Sequence, residues 1–160
     1  KERFKSIKFD LSNMKPKIFL GTDHAGFELK EEIKKYLLKN GYEVEDKGAH
    51  SFDKNDDYPD FIKPVAREVA KDKNCKGIIF GASGQGEVIA ANRFKGARAA
   101  LYYGGNTEII TLSRTHNDAN ILSIGARFVN KEEAIKAVKL WLDTDFSNEE
   151  RHVRRIKKLD

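Results

Sequence analysis

Three glycines fall within the six residues Gly81-Ala82-Ser83-Gly84-Gln85-Gly86, between the apolar run Ile78-Ile79-Phe80 and a helix-like segment, Glu87 to Asn92. This turn constrains the fold more than any other part of the chain. A strand that passes into a helix through so many glycines curls closely, because no Cβ stands in the way. Backbone N–H groups then crowd one side of the turn, and the helix start adds free donors and partial positive charge. Two readings follow from the turn alone: a tight strand–helix connection, or a cradle for a phosphate or a developing oxyanion. It is neither the dinucleotide order G-x-G-x-x-G nor a P-loop, since no Lys-Ser/Thr follows.

The pattern of strand then helix recurs along the chain. Lys17 to Gly21 reads as a strand, and Phe27 to Lys39 as a helix with Leu29, Ile33, Tyr36 and Leu37 at helical spacing, stopped by Asn40-Gly41. Tyr42 to Asp46 is a second strand and Ser51 to Asp57 a polar loop. Pro59 opens a helix with Phe61, Val65 and Val69 on its apolar face; Pro64 within it implies a later start or a kink. Gly77 to Phe80, Ala97 to Tyr102 and Ile121 to Ile124 are further strands. Glu87 to Asn92, Thr107 to Thr115, Lys131 to Asp143 and the basic segment Glu149 to Leu159 are helices. Such alternation predicts an α/β fold: a Rossmann-like open parallel five-stranded sheet with helices on both faces. Residues 1–15 are charged and weakly patterned and read as an N-terminal extension or tag remnant. Residues 16–160 form the one domain that a chain of 160 residues can core.

Several classes of protein are excluded. No apolar run reaches membrane-spanning length. The single cysteine, Cys75, forms no internal disulfide and fits a reducing compartment, and with four scattered histidines it makes a structural zinc site poor. The net charge of +5 suits nucleic acid, an anionic small molecule or a solvated Lys-rich surface, the last being the commonest. It does not suit a single-strand nucleic-acid binder, because no basic stripe interleaves with aromatics.

In open α/β sheets ligands sit at the carboxyl ends of the strands. Three polar segments fall there: Thr22-Asp23-His24, the glycine turn, and Gly125-Ala126-Arg127. Glu87 is either a first-turn glutamate that complements the helix dipole, which favours its ionised form, or a general base beside an oxyanion cradle. Asp23 suits the cap of the helix that follows, and His24 stands near the same terminus. His116 ends a helix, where histidines commonly cap. Arg151 and Arg155, four apart, share a helix face; they form a phosphate fork or a solvated basic surface, with Arg154 off that face. His50 and His152 read as surface residues.

Together these pieces resemble the ribose-5-phosphate isomerase B family, which includes the galactose-6-phosphate isomerase subunits. The matching segments run in family order: 21–30 (GTDHAGFELK), 57–60 (DYPD), 81–87 (GASGQGE), 89–92 (IAAN), 114–120 (RTHNDAN), 125–127 (GAR) and 151–155 (RHVRR). The resemblance implies a cytoplasmic aldose–ketose isomerase of ribose 5-phosphate that needs no metal or other cofactor. It also implies a homodimer with a shared active site, alone or paired into a tetramer, with a sugar phosphate as ligand and neither nucleic acid nor membrane as partner. One branch of the family has a cysteine base at the position of Gly81. The other has a glutamate at the position of Glu87, and this chain is similar to the second, which leaves Cys75 without a role.

Carried over on that resemblance, Glu87 moves the proton between C2 and C1. The backbone of Gly81, Ala82, Gly84, Gln85 and Gly86, with the Ser83 hydroxyl, steadies the enediolate. His116 assists ring opening, Asn117 binds sugar oxygens, and Asp23 orients substrate hydroxyls. His24, Arg127, Arg151 and Arg155 hold the phosphate, and Tyr58 lines the pocket. His116 and Asn117 are the expected donors from the partner subunit. The segment Tyr102-Tyr103-Gly104-Gly105-Asn106 is unusual and bears on the sugar taken. A six-carbon sugar phosphate, allose or galactose 6-phosphate, is the first alternative. A non-catalytic sugar-phosphate or nucleic-acid binder on this fold is the second.

Overall fold

The computed structural model describes residues 14–160, so the expected extension lies outside the described residues except for Met14 and Lys15. Lys15 belongs with the domain: its Nζ donates to Asn40 O and stands over the Tyr42 ring. Among the described residues, five strands, β1 (Lys17–Thr22), β2 (Val44–Asp46), β3 (Cys75–Gly81), β4 (Ala99–Tyr102) and β5 (Ile121–Gly125), form one parallel sheet in the order β2-β1-β3-β5-β4. The α-helices of the described residues connect and flank them: α1 (Phe27–Lys39), α2 (Pro59–Lys71), α3 (Gln85–Ala91), α4 (Glu108–Thr115), α5 (Lys131–Asp143) and α6 (Glu150–Lys157).

Alternation along the strands divides the core between the two faces. Ile18, Leu20, Ile78, Phe80, Leu122 and Ile124 pack with Ile33 and Leu37 of α1, Ile110 of α4, and Ala134, Val138 and Trp141 of α5. Phe19, Ile79 and Ile121 point the other way, onto Ile62, Val65, Ala66 and Val69 of α2 and Ala90 and Ala91 of α3. Each fully buried Val, Leu, Ile or Phe among them contributes about 1.5–3 kcal/mol.

Several boundaries differ from expectation. Cys75 lies inside β3, paired in register with Lys17, rather than ahead of the strand. β2 and β4 are shorter than their apolar runs, and α3 opens two residues earlier, at Gln85. Ile62, not Phe61, joins the buried face of α2. That helix starts at Pro59 and continues through Pro64, whose missing donor frees only the carbonyl of exposed Asp60.

One buried cation prepares the functional edge. Lys30 of α1 is fully buried and donates from Nζ to Asp46 Oδ2 (2.7 Å) and Ala49 O (2.6 Å). Burial alone would raise the Asp46 carboxyl, but its bonds from Lys30 and the Gly48 N–H outweigh that and hold it below the ordinary range. The loop thus anchored pairs with Thr22: Thr22 N donates to Gly48 O and Ala49 N to Thr22 O, both at 2.8 Å. The backbone leading into Asp23 is fixed from both sides.

Candidate active site

β1, β3 and β5 are adjacent in the sheet, and their ends are level: Thr22 pairs with Phe80, and Gly81 with Gly125. The three polar segments therefore meet at one edge. Thr22 Oγ1 donates to Phe80 O at 3.1 Å, which ties the first crossing to the third strand. Asp23 is buried and caps the short 3₁₀ turn His24–Gly26, its Oδ1 accepting from Ala25 N at 3.0 Å.

The glycine turn is held by its carbonyls. Ala126 N donates to Gly81 O (2.8 Å), Arg127 N to Ala82 O (3.0 Å) and Ser123 Oγ to Gly84 O (2.8 Å). Gly84 is left-handed at φ +78°, and a Cβ there would come within 2.7 Å of Leu101 Cδ1. Gly125 is equally confined, since a Cβ would stand 2.6 Å from Ser83 O. With those carbonyls engaged toward β5, the N–H groups of Ala82, Ser83, Gly84 and Gly86 have no partner among the described residues. Free amides on a turn that leads into a helix form a concavity suited to an anionic oxygen. The Ser83 hydroxyl stands beside them and accepts weakly from Gln85 N at 3.4 Å.

Glu87, in the first turn of α3, is 4% exposed. Its carboxyl fills the space beside Gly81, where a Cβ would overlap it. The expectation that the helix dipole keeps this group readily ionised is corrected here. Burial raises its pKa, the Asp23 charge adds to the rise, and its bond to its own backbone N–H offsets only part. Such a carboxylate is a stronger base once ionised. Tyr58, at the N-terminus of α2, lies over the same turn: a Cβ on Gly86 would approach its Cζ to 2.7 Å.

His24 is bound by a residue not singled out from the sequence. Asp56 Oδ1 accepts from His24 Nδ1 at 2.7 Å and from His24 N at 3.1 Å. The Asp56 bond raises the His24 pKa; burial and the Arg127 charge oppose it, and the Asp23 charge assists. Asp56 was inconspicuous because it lies among Asp53, Asp56 and Asp57 in a polar loop, where nothing but the fold distinguishes one acid from the next. Asp23, His24 and Asp56 have ligand-type atoms within 4.8 Å of one another, but the His24 and Asp56 atoms are hydrogen-bonded together, which makes a dyad rather than an open donor set.

The remaining candidates form a second cluster. His116, the C-terminal cap of α4, stacks on His152 of α6 with ring centroids 4.2 Å apart and planes 19° from parallel. His152 is 5% exposed, not the surface residue expected; burial lowers its pKa first, and the His116 and Arg151 charges lower it further. Its spacing on the apolar side of α6, one turn from Ile156, was the available signal. Arg151 bonds Glu149 (3.0 Å) and Arg154 bonds Glu150 (2.7 Å), while Arg155 is exposed. Asn117 lines a cavity of about 380 Å³ with Asn92, Arg98, Ser113 and Asp160; Glu87, Asp23, His24 and Arg127 are not among its lining residues. Among the described residues, no hydrogen bond, ion pair or ring contact joins the two clusters.

The pattern of the ribose/galactose isomerase family matches residues 18–159. Ribose-5-phosphate isomerase B of Mycolicibacterium paratuberculosis is 43% identical over 140 residues, 88% of this chain and 87% of its own length. That of Escherichia coli K12 is 40% identical over 141 residues, 88% of this chain and 92% of its own. Among solved structures, a ribose 5-phosphate isomerase of Thermotoga maritima superposes with a TM-score of 0.85 at 43% identity, covering 92% of this chain and 99% of that one. The Mycoplasma genitalium ribose-5-phosphate isomerase B with bound ribulose 5-phosphate gives 0.85 at 40% identity, covering 89% and 93%.

Proposed function

The chain belongs to the ribose/galactose isomerase family, and from that premise we propose how its residues carry the reaction. It is an isomerase that interconverts ribose 5-phosphate and ribulose 5-phosphate, as its relatives' names and the ribulose 5-phosphate bound to one of them support. Glu87 removes the proton from C2 of the open-chain aldose and returns one at C1. The observation that carries this reading is a buried carboxylate beside a turn whose amides are free. Proton abstraction next to a carbonyl needs a base and a preorganised home for the enediolate oxygen, and the two lie side by side here. Asp23 orients hydroxyls, Tyr58 closes the wall over Gly86, and His24 with Arg127 holds the phosphate. Binding of that remote group positions C1 and C2 against the base.

The second cluster belongs to the same reaction in a homodimer. His116 opens the furanose ring, Asn117 binds sugar oxygens, and Arg151 and Arg155 complete the phosphate clamp, all reaching the Glu87 cluster of the partner subunit. The separation of the two clusters within one chain supports this reading. No helix among the described residues is long and apolar enough to cross a membrane, and the lone buried cysteine fits a cytoplasmic setting. A coupled assay of ribose 5-phosphate against allose 6-phosphate, with and without chelator, is the test. Turnover of the pentose phosphate that survives chelator is the expected result; preference for the hexose would move the assignment within the family, and no turnover of either would refute it.

A further inference from the structure

The loop between β2 and α2 supplies one acid to the site edge in a manner that its role in folding does not explain. Asp56 has only 8% of its side chain exposed, yet a single oxygen, Oδ1, makes both of its hydrogen bonds, to Nδ1 and to the backbone N–H of His24. The other oxygen, Oδ2, is buried with no partner among the described residues. Burying a carboxylate with one oxygen unsatisfied is costly, and a purely structural acid would be expected to use both. What the arrangement does achieve is control of one ring. With Nδ1–H donated to Asp56, a neutral His24 could only accept at Nε2, whereas the imidazolium donates there as well.

The geometry points to Asp56 as a positioning residue for the reaction: it orients the His24 ring and keeps it in the form that offers Nε2–H to the substrate phosphate. This rests on the reading of His24 as a phosphate ligand. Asp56 from the β2–α2 loop bonds His24, the charges of Asp23 at the preceding position and of Arg127 from the loop after β5 also act on it, and Phe52 meets its ring edge-on at 6.1 Å. Arg127 disfavours the imidazolium, so a neighbouring carboxylate is needed if both cations are to hold one dianion. The sugar phosphate takes its second negative charge above about pH 6. Tight binding therefore occupies a window between that value and the raised pKa of His24, and Asp56 sets the upper edge.

The test is Asp56→Asn, which keeps size and removes charge. KM for ribose 5-phosphate should rise about 3- to 10-fold at neutral pH with kcat little changed, and the alkaline limb of the 1/KM profile should move to lower pH. The His24 imidazole, followed by NMR, should titrate at lower pH in the variant, and Asp56→Glu should recover part of the affinity. A stable Asp56→Asn with unaltered KM profile and His24 titration overturns the proposal. His24→Ala separates the premise from the proposal: if it leaves KM unchanged, the phosphate reading of His24 is wrong and the proposal goes with it. If His24→Ala raises KM while Asp56→Asn does not, only the role of Asp56 is overturned.

Discussion

The Glu87 carboxyl occupies the volume that a side chain at Gly81 would fill: all three of its terminal atoms are what a Cβ there would strike first. The resemblance to the family puts the alternative cysteine base at this same position. A side chain at position 81 and the Glu87 carboxyl as placed here therefore exclude each other sterically, so the proposed glutamate base requires the glycine. Gly81→Ala should push Glu87 out of line and lower kcat by on the order of 10²-fold, the scale of a misplaced reacting group. Turnover within a few-fold of the parent, measured on folded protein, would show that Glu87 has room to relax.

Burial that makes Glu87 a stronger base also makes its ionisation unfavourable in the fold. Its pKa is raised, so between the ordinary carboxylate range and that raised value the folded state holds more protons than the unfolded chain. Stability contributed by this group is thus lost as pH rises through that window. Glu87→Gln should remove this loss and melt higher than the parent at neutral pH, with the difference shrinking in acid. Its kcat should fall about 10²- to 10⁴-fold, the range of a lost general base. In the parent, kcat should decline as pH drops through a value above that of an ordinary glutamate. Thermal melts against pH, paired with C2 proton-exchange rates, read both effects; near-normal exchange in the variant would remove Glu87 from the role.

Ser123 offers a test of the cradle that touches no substrate. It is fully buried on β5, and its Oγ donates to Gly84 O at 2.8 Å. Ser123→Ala leaves that carbonyl with only the Val88 N–H, at 3.1 Å. The loss should cost about 1–2 kcal/mol in stability. If the carbonyl tether also aims the free amides, kcat should fall while KM holds. A destabilised variant with unchanged kcat would limit Ser123 to folding.

Legibility from the sequence followed physical lines. The long helices α1 and α5 and the central strands were readable, because their periodicity is sustained and their stops, such as Asn40-Gly41, are local. β2 and β4 were less so: they lie at the two edges of the sheet, where an apolar run exceeds the part that pairs. The candidate residues could be located at strand ends from motif order, yet their partners could not. Asp56 reaches His24 across 32 positions and His152 reaches His116 across the gap between α4 and α6, contacts that only tertiary packing creates. The raised pKa of Glu87 escapes the sequence for the same reason. A helix dipole is visible in a sequence, whereas 4% exposure is not.

The last prediction concerns the gap between the two clusters. Arg155 is exposed and makes no ion pair among the described residues, and His116 makes ring contact only with His152. If both act on a neighbouring subunit's substrate, Arg155→Ala should weaken substrate binding by about 1–3 kcal/mol, as for a lost charge-assisted contact. Mixing a Glu87→Gln chain with a His116→Ala chain should then restore part of the activity that each lacks. In the hybrid dimer one site combines both altered residues and the other combines both intact ones, so recovery of up to about half the hybrid sites is the expectation. Subunit exchange must be verified by mass before activity is read. Fully exchanged hybrids with no recovered turnover, or a monomer by sedimentation that still isomerises ribose 5-phosphate, would show that one chain supplies the whole site. Either result would leave Glu87 as the base and would require His116 to reach it within its own subunit.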